Sequence, residues 1–216
     1  MTQAIAISVV PETIVAMSGS PVDQLKALLA WFKQDFFKWT DAPACTNCQP
    51  SVPENISSQG GANPTPEEVE GMARRVEVYF CKGCNQPLRF PRYNQVIKLL
   101  ETRNGRCGEW ANCFTGIVKA LGHEARFVVD WTDHVWTEVW IEAEQRWVHM
   151  DPCENAYDAP KMYERGWGKK LTYIVAVSAK EVVDVTPRYI VNQSGNCMRR
   201  DQVPEEWLKT ILGQMR

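Results

Sequence analysis

The segment Gly105–Trp110 places a cysteine at the predicted start of a helix. A turn signal at Gly105 is followed by apolar residues at helical spacing as far as about Leu121, and Gly122 supplies a stop signal. Cys107 therefore lies in or just before the first helical turn. Unpaired backbone N–H groups and the positive end of the helix dipole favour a thiolate there, so Cys107 is a candidate nucleophile.

A cysteine nucleophile needs a base within hydrogen-bonding reach and a third group that orients the base. His123 follows the helix stop, which is typical of a capping or surface residue, whereas His134 begins a predicted strand directly after a loop. Asp151 ends the partner strand of a predicted hairpin, and cross-strand pairing would place it beside His134. The pattern predicts a triad of Cys107, His134 and Asp151. Each residue taken alone also fits an ordinary structural role: Cys107 as an inert core cysteine, His134 as a hydrogen-bonded polar residue and Asp151 as part of an Asp-Pro turn.

Two CxxC motifs supply a second set of reactive side chains. Cys45 and Cys48 precede a polar stretch, and Cys81 and Cys84 follow a β-rich segment. Four sulfurs so spaced can surround one Zn²⁺ tetrahedrally at about 2.3 Å each, and a closed shell of that kind holds a fold together rather than doing chemistry. The alternatives are unpaired or disulfide-bonded cysteines, or a redox pair, although the βαβ setting of a redox CxxC is missing.

Several further elements are predicted to position these groups. Residues 1–19 give no confident element beyond a short strand around Ile5–Val10, and residues 49–66 are predicted to be a loop. Helix signals begin at Ser20, running to about Trp39, and also at Thr65, at Asn94 and at Pro204. Strand patterns cover Val76–Phe80, Glu124–Trp131, His134–Ile141, Trp147–Asp151, Leu171–Val177 and Val182–Val185.

Composition narrows the function classes. The chain has 216 residues, a net charge of −2 and no long run of either sign, which argues against nucleic acid and anionic membrane surfaces as partners. No segment approaches the roughly 20 apolar residues that span a bilayer, and the N-terminus makes a poor signal peptide. With eight cysteines and no export signal, thiol chemistry or metal binding is favoured over a disulfide framework.

Longer motifs carry a more specific resemblance, which covers about residues 22–200. They are Gly105-Arg106-Cys107-Gly108-Glu109-Trp110-Ala111-Asn112, Asp133-His134-Val135-Trp136-Thr137-Glu138-Val139, Arg146-Trp147-Val148-His149-Met150-Asp151-Pro152-Cys153-Glu154 and Gly166-Trp167-Gly168-Lys169-Lys170-Leu171. Together with both CxxC pairs, these motifs resemble cytoplasmic peptide:N-glycanases, which belong to the transglutaminase-like superfamily of cysteine hydrolases.

The resemblance implies a fold and a reaction. The fold would be α+β: a transglutaminase-like, papain-like core with an antiparallel sheet over residues 20–203, a zinc-binding subdomain inserted at 41–92, an N-terminal extension 1–19 and a C-terminal helix 204–216. The implied substrates are denatured N-glycoproteins in the cytoplasm, as in ER-associated degradation. Cys107 would form a thioester with the glycan-bearing Asn side chain, and hydrolysis would leave Asp.

The resemblance also implies roles for five further residues. The Trp39 indole would help to stabilise the oxyanion, with simple core packing as the alternative. Arg126, Trp136, Glu138 and Trp147 would bind the glycan, although Arg126 also fits a structural ion pair. By strand alternation, Trp136 and Glu138 share the face of His134, and Trp147 shares that of Asp151.

Two rival functions remain open, and so do the protein partners. A transglutaminase or thiol peptidase would use the same triad on Gln side chains or backbone amides, and a zinc-held adaptor would use none of it. The chain lacks the helical adaptor and β-sandwich that animal members of the family carry, so ubiquitin-receptor and proteasome-linked partners are expected from the family alone. Cys113, Cys153 and Cys197 have no assigned role.

Overall fold

The structure is a computed structural model. It describes residues 2–191 and 199–215, with the backbone alone described for Thr2. The α-helices are α1 (Thr2–Ser8), α2 (Glu12–Val15), α3 (Pro21–Trp31), α4 (Pro66–Glu70), α5 (Val96–Thr102), α6 (Cys107–Ala120), α7 (Met162–Arg165), α8 (Thr186–Tyr189) and α9 (Glu205–Gln214). The strands are β1 (Lys38–Trp39), β2 (Ile56–Ala62), β3 (Val76–Cys81), β4 (Gln86–Pro91), β5 (Asn104–Gly105), β6 (Ala125–Asp130), β7 (His134–Ile141), β8 (Arg146–Asp151), β9 (Ala156–Tyr157), β10 (Ile174–Val177) and β11 (Val182–Asp184).

A six-stranded antiparallel sheet in the order β11-β10-β6-β7-β8-β9 forms the centre of the fold. A three-stranded antiparallel sheet, β2-β3-β4, carries the second CxxC motif at the end of β3, and the short strands β1 and β5 pair in parallel. The α+β fold with antiparallel sheet expected from the sequence is therefore confirmed. Among the described helices, none is both long and apolar enough to cross a membrane.

The core places α6 between the sheet and the N-terminal helices. Phe114, Ile117 and Val118 of α6 are fully buried, as the helical spacing of the sequence predicted. α3 begins as its sequence predicts, because the Ser20 hydroxyl accepts a hydrogen bond from the Val22 N–H at 3.2 Å. It ends earlier than Trp39, in a π-helical turn over Phe32–Phe36. That turn delivers an aromatic cluster onto α6, composed of Trp31, Phe32, Phe36, Phe37, Trp110 and Phe114.

Two local predictions were wrong. The N-terminal segment forms the helices α1 and α2 instead of a strand, because Ala6, Val10 and Ile14 recur every four residues and bury one face in the main core. The stretch predicted as a loop contains β2, and β4 follows the second CxxC motif. Both strands form through pairing with β3, which a local pattern of Ser, Gly and Pro does not reveal.

An ion pair lies inside the central sheet. The register of β6 against β7 sets Arg126 opposite Glu138, with Arg126 Nε 2.7 Å from Glu138 Oε2. Only 4% of Arg126 and none of Glu138 is exposed. Arg126 also donates to Glu181 at 2.7 Å. Removing the cation would take the donor from Oε2 of this carboxylate, whereas Oε1 would keep the Tyr189 hydroxyl and the Arg188 guanidinium, 3.2 Å away. Losing part of the pairing of a buried charge is costly in a poorly solvated interior.

We therefore expect Arg126→Ala to lower the free energy of unfolding by about 3 kcal/mol. Denaturant melts of the variant and the parent protein measure this difference. The matched control is Lys180→Ala, which removes the exposed ion pair with Glu124 and should cost less than about 1 kcal/mol. Equal stability of Arg126→Ala and the parent would contradict a structural role for the pair.

Candidate active site

Cys107 is the first residue of α6, and close backbone packing sets the start of that helix. β5 precedes it directly and pairs with β1 so that Gly105 lies beside Trp39. A Cβ atom on Gly105 would lie 2.4 Å from the Cβ of Glu109, so only glycine fits there. A Cβ on Gly108 would meet nothing within 4 Å. The Cys107 side chain is half-buried, and it lies at a helix end whose first N–H groups lack intrahelical partners.

Four charged side chains hold the start of α6 against the three-stranded sheet. The Arg106 guanidinium donates to both oxygens of Glu77, at 2.8 and 2.9 Å. The Arg92 guanidinium donates to Glu109 and, at 3.1 Å, to Glu77. Hydrogen bonding from Arg106, helped by Tyr79 and Arg92, outweighs burial and lowers the pKa of Glu77 to about 2. An ionised Glu77 thus ties β3 to the residue that precedes Cys107.

His134 and Asp151 meet at the same end of the central sheet. The ladder between β7 and β8 runs from Thr137–Met150 to Ile141–Arg146, so His134 and Asp151 lie beyond it and are not a ladder pair. Their side chains nevertheless meet, with His134 Nε2 2.7 Å from Asp151 Oδ2. None of Asp151 and 7% of His134 is exposed. Burial alone would raise the pKa of Asp151, but hydrogen bonding and the charge of His134 lower it.

Nδ1 is the ring nitrogen of His134 that Asp151 leaves free, because Nε2 makes the contact with that carboxylate. Cys107 lies close enough for its hydrogen bonding and charge to act on the imidazole. Burial opposes the imidazolium, yet the hydrogen bonds and charges of Asp151 and Cys107 together raise the pKa of His134 to about 9. Such an arrangement holds a proton on His134 at neutral pH and pairs it with a nucleophilic sulfur.

Two aromatic residues beside His134 carried no role in the sequence analysis. Trp167 is 46% exposed and its ring centroid lies 5.0 Å from that of His134. Tyr163 is fully buried, 5.3 Å from His134, and donates to Asp151 Oδ2 at 2.8 Å. Trp167 lies in one of the motifs that carry the family resemblance, and that motif is the sequence signal that could have identified it as a site residue. No sequence signal points to Tyr163, since nothing in the local pattern links it to Asp151.

Of the four residues predicted to bind glycan, three lie in the interior. Trp136 is fully buried, stacks on Tyr163 at 4.5 Å and donates to the Tyr189 hydroxyl. Glu138 accepts from that same hydroxyl at 2.6 Å and pairs with Arg126, as described above. Trp147 is half-buried, with the Arg126 guanidinium 4.1 Å above its ring. Arg126 thus contacts both Glu138 and Trp147, and Trp136 contacts His134, with Trp147 the one of the four that is partly exposed.

Trp39, the predicted oxyanion donor, lies close to Cys107 in the fold. It is 48% exposed, and its backbone pairs with Gly105 two residues before the nucleophile. In this structure its indole N–H donates to Asp41 Oδ1 at 2.8 Å. Oxyanion binding through this group therefore requires the indole to leave Asp41. Trp39 and Trp167 thus provide one exposed indole near each of the two reacting residues.

The two CxxC motifs converge on one point between β3 and the segment that follows β1. The four Sγ atoms all lie within 4.8 Å of one another, and the Cys45–Cys84 and Cys48–Cys81 pairs are 3.5 and 3.8 Å apart. Tetrahedral coordination at about 2.3 Å per sulfur requires sulfurs about 3.8 Å apart. The cluster of Cys45, Cys48, Cys81 and Cys84 therefore fits one metal ion with four thiolate ligands.

The other cysteines lie outside this cluster. Cys113 is fully buried in α6 and Cys153 is 2% exposed just after Asp151. Burial raises the pKa of both thiols, so each behaves as an apolar group. Cys197 lies outside the described residues.

Comparison with known proteins places this site in a family. Residues 55–152 match the model of the transglutaminase-like superfamily, and residues 130–216 match the Rad4 transglutaminase-like domain. The chain is 49% identical to a peptide-N(4)-(N-acetyl-beta-glucosaminyl)asparagine amidase of Caenorhabditis elegans, over 99% of this chain and 36% of that protein. Amidases of the same name from Mus musculus and Yarrowia lipolytica are 51% and 46% identical over 87% of this chain, or 28% and 52% of their own lengths.

Solved structures support the same fold. A chain in the structure of Rad4-Rad23 bound to a 6-4 photoproduct UV lesion superposes with a TM-score of 0.60 and 15% identity, over 100% of this chain and 49% of that one. At that identity the likeness concerns the fold alone. The chain spans about a third of the length of the Caenorhabditis elegans relative. The fold is therefore transglutaminase-like, and nearly all of the chain is similar to a segment of the peptide-N(4)-(N-acetyl-beta-glucosaminyl)asparagine amidases.

Proposed function

We propose that this chain cleaves the amide bond between an N-linked glycan and the Asn side chain of denatured or misfolded glycoproteins. The observation that carries the proposal is the His134–Asp151 contact of 2.7 Å beside a thiol at the start of α6. The name shared by relatives about 50% identical to this chain supports the choice of substrate within the superfamily.

The proposed reaction has two halves. The Cys107 thiolate attacks the carboxamide carbon, and the C–N bond breaks as imidazolium Nδ1 of His134 gives its proton to the departing glycosylamine nitrogen. Neutral His134 then takes a proton from water, which attacks the thioester and releases Asp and the Cys107 thiolate. Asp151 remains ionised throughout and stabilises the imidazolium. The glycosylamine afterwards hydrolyses to ammonia and a reducing glycan.

The backbone N–H groups at the start of α6 are candidate oxyanion donors, with the Trp39 indole as a second donor after release from Asp41. Trp167 offers a free aromatic face beside His134 on which a sugar or peptide group can stack. We propose that Arg126, Trp136, Glu138 and Trp147 serve glycan recognition mainly by supporting this surface from behind, because burial limits direct contact.

The wider setting follows the family resemblance. We propose that residues 20–203 form the catalytic core, with the metal-binding subdomain 41–92 inserted, and that the cysteine cluster holds one structural Zn²⁺. Four thiolates match the ligand preference of zinc and close its coordination shell. We also propose that the reaction takes place in the cytoplasm, with ubiquitin-receptor or proteasome-linked proteins as partners that the family resemblance implies.

Incubation with denatured, N-glycosylated ribonuclease tests the activity. We expect the parent protein to release the glycan and convert Asn to Asp, seen as a gel shift and a peptide mass gain of about one unit over the unglycosylated peptide. Cys107→Ala should lose the activity by roughly 10⁴-fold or more, since the nucleophile is gone.

Cys113→Ala is the matched control, because it removes a buried thiol on the same helix outside the triad. Unchanged deglycosylation by Cys107→Ala would contradict the proposal. Turnover of a glycan-free Gln-donor peptide in place of the glycoprotein would instead favour the transglutaminase alternative.

The raised pKa of His134 predicts how activity and stability depend on pH. As pH rises through about 9, His134 loses the proton that it donates to the leaving nitrogen, so kcat/KM should fall. The folded-state pKa lies above the unfolded one, so the stabilising contribution is fully present below about pH 6.5 and is lost as pH rises toward 9. pH profiles of kcat/KM and of the unfolding free energy measure both effects.

His134→Gln is the comparison variant for the stability profile, since it removes the titrating group while keeping a polar side chain. Its stability should lack the decline between about pH 6.5 and 9. A decline of equal size in parent and variant would show that another group titrates there.

Metal removal should act on the whole fold through the three-stranded sheet. We expect one Zn²⁺ per chain by elemental analysis, and chelation should lower the melting temperature by roughly 10 °C, reversibly on re-addition of Zn²⁺. Cys81→Ser should lose the ion, whereas Cys113→Ala should retain it. Full metal content in Cys81→Ser, or a melting temperature unmoved by complete removal of the metal, would contradict a structural zinc.

A further inference from the structure

His149 is a buried histidine that the proposed reaction does not use. It lies on β8, two residues before Asp151 and 1% exposed. Its Nε2 lies 2.7 Å from the Tyr163 hydroxyl, and its Nδ1 lies 3.3 Å from the backbone nitrogen of Ala159. Tyr163 in turn lies 2.8 Å from Asp151 Oδ2. A continuous chain of hydrogen bonds therefore reaches the triad carboxylate from its buried side.

The donors and acceptors allow these hydrogen bonds to run in one direction only, from Ala159 toward Asp151. The Ala159 N–H can only donate, so Nδ1 of His149 accepts and Nε2 carries the proton. Nε2 donates to the Tyr163 oxygen, which leaves the hydrogen of that hydroxyl for Asp151. Burial lowers the pKa of His149 to about 4 and keeps the ring neutral at physiological pH, as this tautomer requires.

Asp151 is held by three donors from three elements. Oδ2 accepts from His134 and from Tyr163, while Oδ1 accepts from the Cys153 N–H at 2.9 Å. With both oxygens occupied, the carboxylate cannot rotate without losing a charge-assisted hydrogen bond. The Tyr163 ring is itself fixed, stacked on Trp136 with an angle of 24° between the rings.

We propose that Tyr163, oriented by neutral His149, is a positioning residue that keeps Asp151 ionised and its Oδ2 aimed at His134. Tyr163 has no exposed surface, so it acts through Asp151 and does not contact substrate. The inference rests on the proposed function in that the orientation matters only if His134 and Cys107 react.

Several titratable or charged groups lie around this network, and each of them can contribute to a pH effect measured on it. Around Asp151 they are His134, His149, Tyr163 and the Cys153 thiol, and around His149 they also include Asp158 and Arg188. Among the groups that act on Asp151, Tyr163 is the one that a single-atom change removes without altering charge.

The test uses Tyr163→Phe, which deletes only the hydroxyl. We expect kcat for deglycosylation to fall by about ten-fold to a hundred-fold, the loss typical of one hydrogen bond to a charged group, with KM unchanged. The hydrogen bond from Tyr163 helps to lower the pKa of Asp151. Its loss should therefore move the acid limb of the pH profile to higher pH.

The rate of Cys107 alkylation by iodoacetamide should show the same shift of its acid limb, and this readout needs no glycoprotein. Tyr173→Phe is the matched control. Tyr173 is 5% exposed and its hydroxyl accepts from the Gln202 and Val203 N–H groups, so this variant loses a buried hydroxyl away from Asp151. It should keep the parent kcat and pH profile.

A second pair of variants covers the case in which Tyr163→Phe folds poorly. His149→Gln retains an N–H donor toward Tyr163 and should keep most of the activity, whereas His149→Leu removes it and should reproduce the kinetics of Tyr163→Phe. Equal activity and equal pH profiles of His149→Gln and His149→Leu would overturn the inference, as would parent-like kinetics of Tyr163→Phe. If the parent lacks deglycosylation but the alkylation shift is present, the proposed function fails and the positioning role stands.

Discussion

A fully buried carboxylate with a required orientation is the constraint on which this site depends. Asp151 has no exposed surface, and an ionised group there is stable only if hydrogen bonds replace its lost hydration. Its donors come from the start of β7, from the backbone after β8 and from α7. The triad geometry is therefore a property of how these elements pack, and a shift of any one of them would cost the carboxylate a partner.

Cys107, the proposed nucleophile, is positioned by a separate network. Ionised Glu77, on the strand that ends at Cys81, binds the guanidinium of Arg106, and Arg106 is joined covalently to Cys107. The cysteine cluster and the reactive sulfur thus share one strand and one ion pair. A metal held by the cysteine cluster would therefore also support the position of Cys107, since loss of the strand would release the start of α6.

Much of this arrangement could be predicted from the sequence because its signals are local. Helical spacing located α6, alternation located β7 and β8, and the CxxC motifs located the cluster, each within a few residues. Strands β2 and β4 escaped prediction because they exist by pairing with β3. Tyr163 was missed for the same reason. Twelve residues separate it from Asp151, and only the tertiary fold makes its hydroxyl a partner of the triad.

The sequence left a structural ion pair open as the alternative role of Arg126, but it did not identify Glu138 as the buried partner, since charged side chains are expected at the surface unless paired. Their pairing in adjacent strands lets both charges lie in the interior. On the same strand as Glu138, the Trp136 ring contacts both His134 and Tyr163. Under the proposed function, a bulky glycan would contact exposed groups, which makes Trp39 and Trp167 candidate substrate contacts, while the buried groups hold the proposed triad in place.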